Sequence, residues 1–353
     1  MRLRSRLLPL LIALISLAAW PSAASAAEKA IWGPTHLPNG ASAFPTYKGL
    51  GVDTYQTFVR WNNIASRRPL EPRNPRDPAY RWPADLDYAV AQATASGIKF
   101  APLVMGTPRW ANGGKDPRWA PTQNRYYADF LVAVSRRYPS IRRWQIWGEP
   151  SHPNNFQPAG LPASARRYAR LLDAAYGALK ARNSANVVIG GMTFTYGSVT
   201  PVGFLRELRL PSGRRPRLDW WGHNPFSRRY PDGRTATYKR EGRDINDMDV
   251  FAREVRRAYE STGRRPKLWL SEFTIQSKHG SSTFNFFVPE SQQDNWITAA
   301  FKLANDQRSI AGLGWLSLLD DRERSDHLER NWGLLSSSAT RKKPAYYAYR
   351  RAP

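Results

Sequence analysis

Cysteine is absent from the 353 residues, methionine occurs only four times and histidine five. No disulfide can brace the chain and no thiolate can hold a metal or attack a substrate, so stability has to come from a large buried apolar core. Acid is scarce beside base: 28 Asp and Glu stand against 53 Lys and Arg, a formal net charge of +25. The arginines are scattered in pairs, such as Arg67 with Arg68, Arg142 with Arg143 and Arg228 with Arg229. No basic run is long enough for a nucleic-acid tail, and no nucleic acid partner is expected. What the charge leaves open is a solvated basic surface or an anionic polysaccharide or cell-wall partner.

Aromatics are plentiful, with 14 Trp, 16 Tyr and 14 Phe in a chain that is 41% hydrophobic. Arg2, Arg4 and Arg6 precede an apolar run over residues 7–20, and residues 22–27 are all small. That is the layout of a secretory leader, with cleavage expected after Ala26. The run is shorter than the roughly 20 residues a spanning helix needs, and no later stretch reaches that length, so no stable membrane span is expected. Residues 1–26 therefore read as a leader and 27–353 as the exported domain, extracellular or cell-wall associated.

Within 27–353, short apolar runs alternate with helical patterns, the rhythm of repeated βα units. Strands are expected at 30–32, 54–60, 99–105, 144–147, 187–191, 220–223, 268–273 and 313–318, the number a closed (β/α)8 barrel requires. Amphipathic helices are expected at 86–95, 124–138, 164–182, 248–262 and 292–305. Asp85 can cap the first of these and Gly97 can close it. Pro102 lacks a ladder donor and counts against the third strand. The proline-rich stretches 68–83 and 108–121 read as long loops at strand ends, where barrel enzymes place substrate-binding elements.

Two carboxylates each finish a strand-like run: Glu149 after Trp144, Gln145, Ile146, Trp147 and Gly148, and Glu272 after Leu268, Trp269, Leu270 and Ser271. In a parallel barrel the C-terminal strand ends converge on one face, so these two can meet above the core. A pair of carboxyls about 5 to 5.5 Å apart can cleave a glycosidic bond with retention, one giving a proton to the leaving oxygen and the other attacking the sugar carbon. The competing structural role is an ion-paired strand terminus.

Trp147, Gly148, Glu149 and Pro150 resemble the Asn-Glu-Pro motif that closes the fourth strand in the clan of retaining (β/α)8 glycoside hydrolases, which includes cellulase-like and β-xylosidase-like families. Leu270, Ser271, Glu272 and Phe273 resemble that clan's seventh-strand nucleophile motif. The likeness runs from Trp32 to Tyr347, taking in Arg60 at the end of strand two and the closing Asn331, Trp332 and Gly333. It implies a single TIM barrel with elaborated βα loops, with Glu149 as acid/base and Glu272 as nucleophile. Two positions depart from the clan. Gly148 stands where an Asn binds the sugar 2-hydroxyl, which leaves Asn154, Asn155 or a water to do so. His223, Asn224, Pro225 and Phe226 replace a His-His-Pro-Tyr type of ending, with the loss of a phenol.

Around the pair, Arg60 can hold Glu272 ionised through a forked hydrogen bond, or be a surface arginine. His223 and Asn224 end strand six as a polar wall, or His223 is a satisfied core histidine. Trp315, Trp110, Trp119, Tyr196 and Tyr230 are candidate platforms for the flat faces of sugars, with core packing as the alternative. The acidic knot of Asp320, Asp321, Asp326 and His327 reads as solvated loop charge. The histidines show no metal-ligand spacing, and neither metal nor cofactor is expected. The function expected is a secreted, monomeric glycosidase acting on a poly- or oligosaccharide; a catalytically silent glycan-binding barrel and an envelope-binding scaffold are the alternatives.

Overall fold

Runs of β-branched and aromatic residues, each cut off by glycine, proline or a polar turn, form parallel strands. They are β1 Glu28–Trp32, β2 Thr54–Arg60, β3 Lys99–Met105, β4 Arg143–Ile146, β5 Val187–Phe194, β6 Trp220–Asn224, β7 Lys267–Phe273 and β8 Ile310–Leu316. The computed structural model describes residues 26–234, 241–278, 286–321 and 330–353. The strands pair in chain order and close into a barrel, with Ala30 of β1 opposite Gly314 and Trp32 opposite Leu316 of β8. The expected leader lies outside the described residues except for Ala26, as do Asp326 and His327 of the acidic knot. Among the described residues no helix is long and apolar enough to cross a membrane.

The helices are α1 Phe44–Gly49, α2 Trp61–Ile64, α3 Ala84–Ala95, α4 Asn124–Arg137, α5 Ala163–Arg182, α6 Pro201–Glu207, α7 Met248–Tyr259, α8 Glu290–Asp306 and α9 Pro344–Arg351. Alternation along each strand divides the core in two. Ile31, Tyr55, Val104, Trp144 and Leu313 face the helices, whereas Ala30, Trp32, Leu103, Ile189 and Trp269 fill the barrel.

Three local expectations change or hold. Asp85 does not cap α3: Pro83 holds the N-cap position, and Asp85 sits in the first turn, where a negative charge meets the positive end of the helix dipole. Gly97 does follow the helix end with φ +71°, the left-handed conformation that glycine adopts without strain. Strand β3 runs through Pro102, which stands in register with Thr57.

The barrel floor is polar. Glu28 accepts from Thr54 Oγ1 at 2.7 Å and from Lys99 Nζ at 3.0 Å, and also pairs with Arg143. Beside it, the buried Lys29 donates to Tyr349 O and Ala352 O, both at 3.0 Å, which satisfies carbonyls at the C-terminal end of α9 and binds that helix to β1.

The layer beneath the barrel mouth is a hydrogen-bonded lattice. Ser271 Oγ donates to Gln145 Oε1 at 2.7 Å, and Ser271 O accepts from Trp32 Nε1 at 2.9 Å and Gln56 Nε2 at 3.0 Å. A Cβ on Gly314 would lie 2.1 Å from that same carbonyl, so only glycine fits there. This lattice fixes the backbone just before Glu272.

Candidate active site

The strand ends aim their acids by breaking strand geometry. In β7 the register against β8 shifts between Leu270 and Phe273. Ser271 stays inside the barrel while Phe273 packs outward on Trp315, and Glu272 between them turns into the mouth. After β4, Trp147 and Glu149 have φ of +64° and +43°, left-handed conformations that are costly for residues with a Cβ. Trp147 is held there by a 2.8 Å hydrogen bond from Nε1 to Asn155 O.

Glu149 and Glu272 line one cavity of about 660 Å³, with His152, Phe194, Tyr196, Phe226, Arg228, Phe286, Leu316 and Trp332. Asn224 Nδ2 donates to Glu149 Oε1 at 2.9 Å and Asn155 Nδ2 to Oε2 at 3.0 Å. Burial raises the Glu149 carboxyl against these two bonds, which pull it down. Among the described residues nothing donates to Glu272, and burial, then the field of Glu149, push it up to about 8. Two carboxyls that feel each other share protons as a pair. Burial thus lifts both carboxyls, while the two amides favour charge on Glu149.

No family model matches the sequence, and no curated protein matches it. Solved structures do resemble the fold. A family 39 glycoside hydrolase from the gut symbiont Bacteroides cellulosilyticus WH2 shares 19% identity at a TM-score of 0.67, over 92% of this chain and 62% of its own. A glucosidase from Croceicoccus marinus shares 14% at 0.64, over 91% and 64%. A monomeric β-xylosidase from Caulobacter crescentus CB15 shares 16% at 0.58, over 92% and 67%. What the chain shares with these structures is the fold, a closed barrel of eight parallel strands. This chain spans less than two thirds of the first two of those proteins.

Several expected site residues lie elsewhere. Trp315 is fully buried and donates from Nε1 to Trp332 O at 3.0 Å. It cannot be a platform, because β8 ends at Leu316, and the alternation that turns Gly314 inward turns Trp315 outward. Arg60 leaves the mouth with its guanidinium 4.7 Å above the Phe58 ring and lines a separate hollow with Asn63 and Asp85, so it does not hold Glu272. His223 is a satisfied core histidine. Its Nε2 bonds Arg243 O at 2.8 Å, its Nδ1 bonds Thr193 Oγ1 at 2.9 Å, and burial lowers it to about 4.

Trp110 packs on Trp61 and donates to Ala65 O at 2.7 Å, away from the cavity. Trp119 lies under Lys115, and Tyr230 leans on Trp296. Tyr196 does line the cavity, stacked on Phe286 at 5.8 Å.

Sequence reasoning missed His152, Phe194, Arg228 and Phe286, all on loops or strand ends whose aim no periodicity records. Arg228 lies 5.0 Å over the Phe286 ring and brings a permanent cation to the cavity. At Gly148 a Cβ would come within 3.2 Å of Leu103 Cδ2 and 3.6 Å of Met105 Sδ, so apolar side chains crowd the space a larger residue would use. Among the described residues no group of His, Asp and Glu is arranged to hold a metal ion.

Proposed function

We propose that this chain is an exported retaining glycosidase, monomeric in solution, with Glu149 as acid/base and Glu272 as nucleophile. One observation carries the reading: two carboxyls from the ends of β4 and β7 open on the same cavity closely enough for the charge of one to raise the other. The likeness of the barrel to solved glycoside hydrolases supports it.

In the first step Glu149 gives its proton to the glycosidic oxygen as the bond from that oxygen to the anomeric carbon breaks, and the Glu272 carboxylate forms an ester with the carbon. In the second, Glu149 takes a proton from water, the water oxygen bonds the anomeric carbon, and Glu272 leaves as carboxylate. The first step needs the shared proton on Glu149. A sugar hydroxyl donating to Glu272 supplies a hydrogen bond that the described residues do not, and so favours charge on Glu272 and the proton on Glu149.

The aromatic lining of Phe194, Tyr196, Phe226, Phe286 and Trp332 suits C–H faces of sugars. Arg228 and the overall charge support an acidic poly- or oligosaccharide as substrate. That none of the described residues donates to Glu272 favours a second reading, a catalytically silent barrel that binds glycans. An activated 2-fluoroglycoside separates the two: the enzyme accumulates an ester on Glu272, seen by peptide mass spectrometry, and the silent barrel does not. Glu149→Gln then loses cleavage of poor leaving groups but keeps activated aryl glycosides; retained cleavage of both assigns the acid to another residue.

A further inference from the structure

At the opposite end of the barrel, where β7 begins, a hollow of about 440 Å³ is lined by Arg256, Arg257, Glu260, Gly263, Arg264 and Arg265. Two arginines come from the last turn of α7 and two from the segment entering β7. Among the described residues, the side chains of Arg257 and Arg265 make no hydrogen bond or ion pair, and Glu260 pairs with none of its four cationic neighbours. Among the described residues Arg256 donates to Ala252 O alone, at 3.2 Å. Arg264 donates to Tyr176 Oη at 2.9 Å and Leu218 O at 3.3 Å, with Asp219 at 3.9 Å. Arg215 is fixed beside the same helix end by a 3.1 Å bond to Ala258 O.

The dipole of α7 offsets about half a charge at its C-terminal end. Glu260 adds one more, and Asp219, which Arg264 shares with Lys180, adds part of another, which still leaves the four guanidinium groups short of compensation. Planar forked donors in that number match carboxylates or phosphates, and a concave wall focuses their field. The hollow and Glu272 stand at opposite ends of one seven-residue strand, roughly 20 Å apart, so a ligand in the hollow leaves the cavity open.

We propose that this hollow is a secondary binding site for an acidic polysaccharide, whose carboxylates pair with Arg256, Arg257, Arg264 and Arg265. That the polyanion is a polysaccharide rests on the glycosidase reading above. The site holds the polymer on the face away from catalysis, and its grip weakens as salt screens it.

The test is polygalacturonate binding by affinity electrophoresis with the full chain. Arg257→Gln/Arg265→Gln weakens binding about tenfold at unchanged melting temperature, and Arg257→Lys/Arg265→Lys, which keeps the charge without the fork, recovers part of it, whereas Arg76→Gln, at an exposed arginine that lines neither the hollow nor the cavity, leaves it intact. Unchanged binding in the Gln pair overturns the site, as does a loss that Arg76→Gln reproduces alone. Duplex DNA outcompeting polygalacturonate at these same arginines overturns the ligand. None of these readouts depends on chemistry at Glu272, so a failure of the glycosidase reading shows separately, as no ester after 2-fluoroglycoside treatment.

Discussion

Asn224 Nδ2 lies 2.9 Å from Glu149 Oε1, while its own Oδ1 is buried and meets no hydrogen-bond donor among the described residues. The amide is therefore committed to the ionised form of Glu149. Asn224→Leu removes that donor, and with a bond to a charged group worth about 1.5–3 kcal/mol, kcat/KM falls roughly tenfold or more. Because the lost bond favoured the ionised form, the Glu149 carboxyl rises, and the alkaline limb of the kcat/KM profile moves to higher pH. A limb that stays in place assigns it to another group.

On the proposed mechanism the acid pair is expected to give a bell-shaped profile with its upper limb near pH 8. Above that limb both carboxyls are ionised and no proton reaches the leaving group. Below the lower limb both are protonated and no nucleophile remains. Activity needs the singly protonated pair, so kcat/KM for an aryl glycoside is expected to be maximal below pH 8 and to fall on either side.

Glu149→Gln removes the like charge that helps raise Glu272. The Glu272 carboxyl then ionises at lower pH, with burial still holding it above the ordinary carboxylate range. The rate of 2-fluoroglycoside labelling, measured against pH, reports this shift directly; labelling that still rises near pH 8 leaves burial as the whole cause.

Trp315 and Trp332 separate core from cavity. Trp315→Ala empties a packed site and costs about 3–5 kcal/mol in urea unfolding. Trp332→Ala strips a face from the cavity and raises KM about tenfold, with a smaller stability loss. The opposite pattern would restore Trp315 as the platform.

Lys343 is fully buried and donates to Asp320 Oδ1 and Ser277 Oγ, both at 3.0 Å. Lys343→Met leaves Asp320 without its cation and costs about 3 kcal/mol. Asp320→Asn leaves the buried ammonium without its anion. The double variant costs less than the two losses added, by roughly 1–3 kcal/mol in a double-mutant cycle. Strict additivity would make the pair energetically independent.

The barrel was legible because strand-forming runs end abruptly, and the acids because each closes such a run. Strand β8 was harder: Ile310, Ala311 and Gly312 carry little strand signal, so the expected strand over 313–318 begins three residues late and runs two past the observed end at Leu316. The alternation with Gly312 and Gly314 contains the right answer, since a fitted barrel interior takes the glycines and sends Trp315 out. Arg228 was hidden among the paired arginines. Its neighbour Arg229 bonds Asp244 at 2.8 Å, and only folding separates that anchored residue from the one at the cavity. Arg60 and His223 stand at the expected strand positions, but Phe58 and Thr193 occupy what each side chain meets.

Lys29 ties the first strand to carbonyls more than three hundred positions later in the sequence, and β1 completes its ladder only against β8. Joining segments so remote is the slowest kind of contact to form, because the loop entropy is lost before any bond rewards it. Until then two bare sheet edges face solvent, open to pairing with other chains. Recovery from denaturant should accordingly depend on dilution, with crowded refolding mixtures lost to intermolecular strand addition.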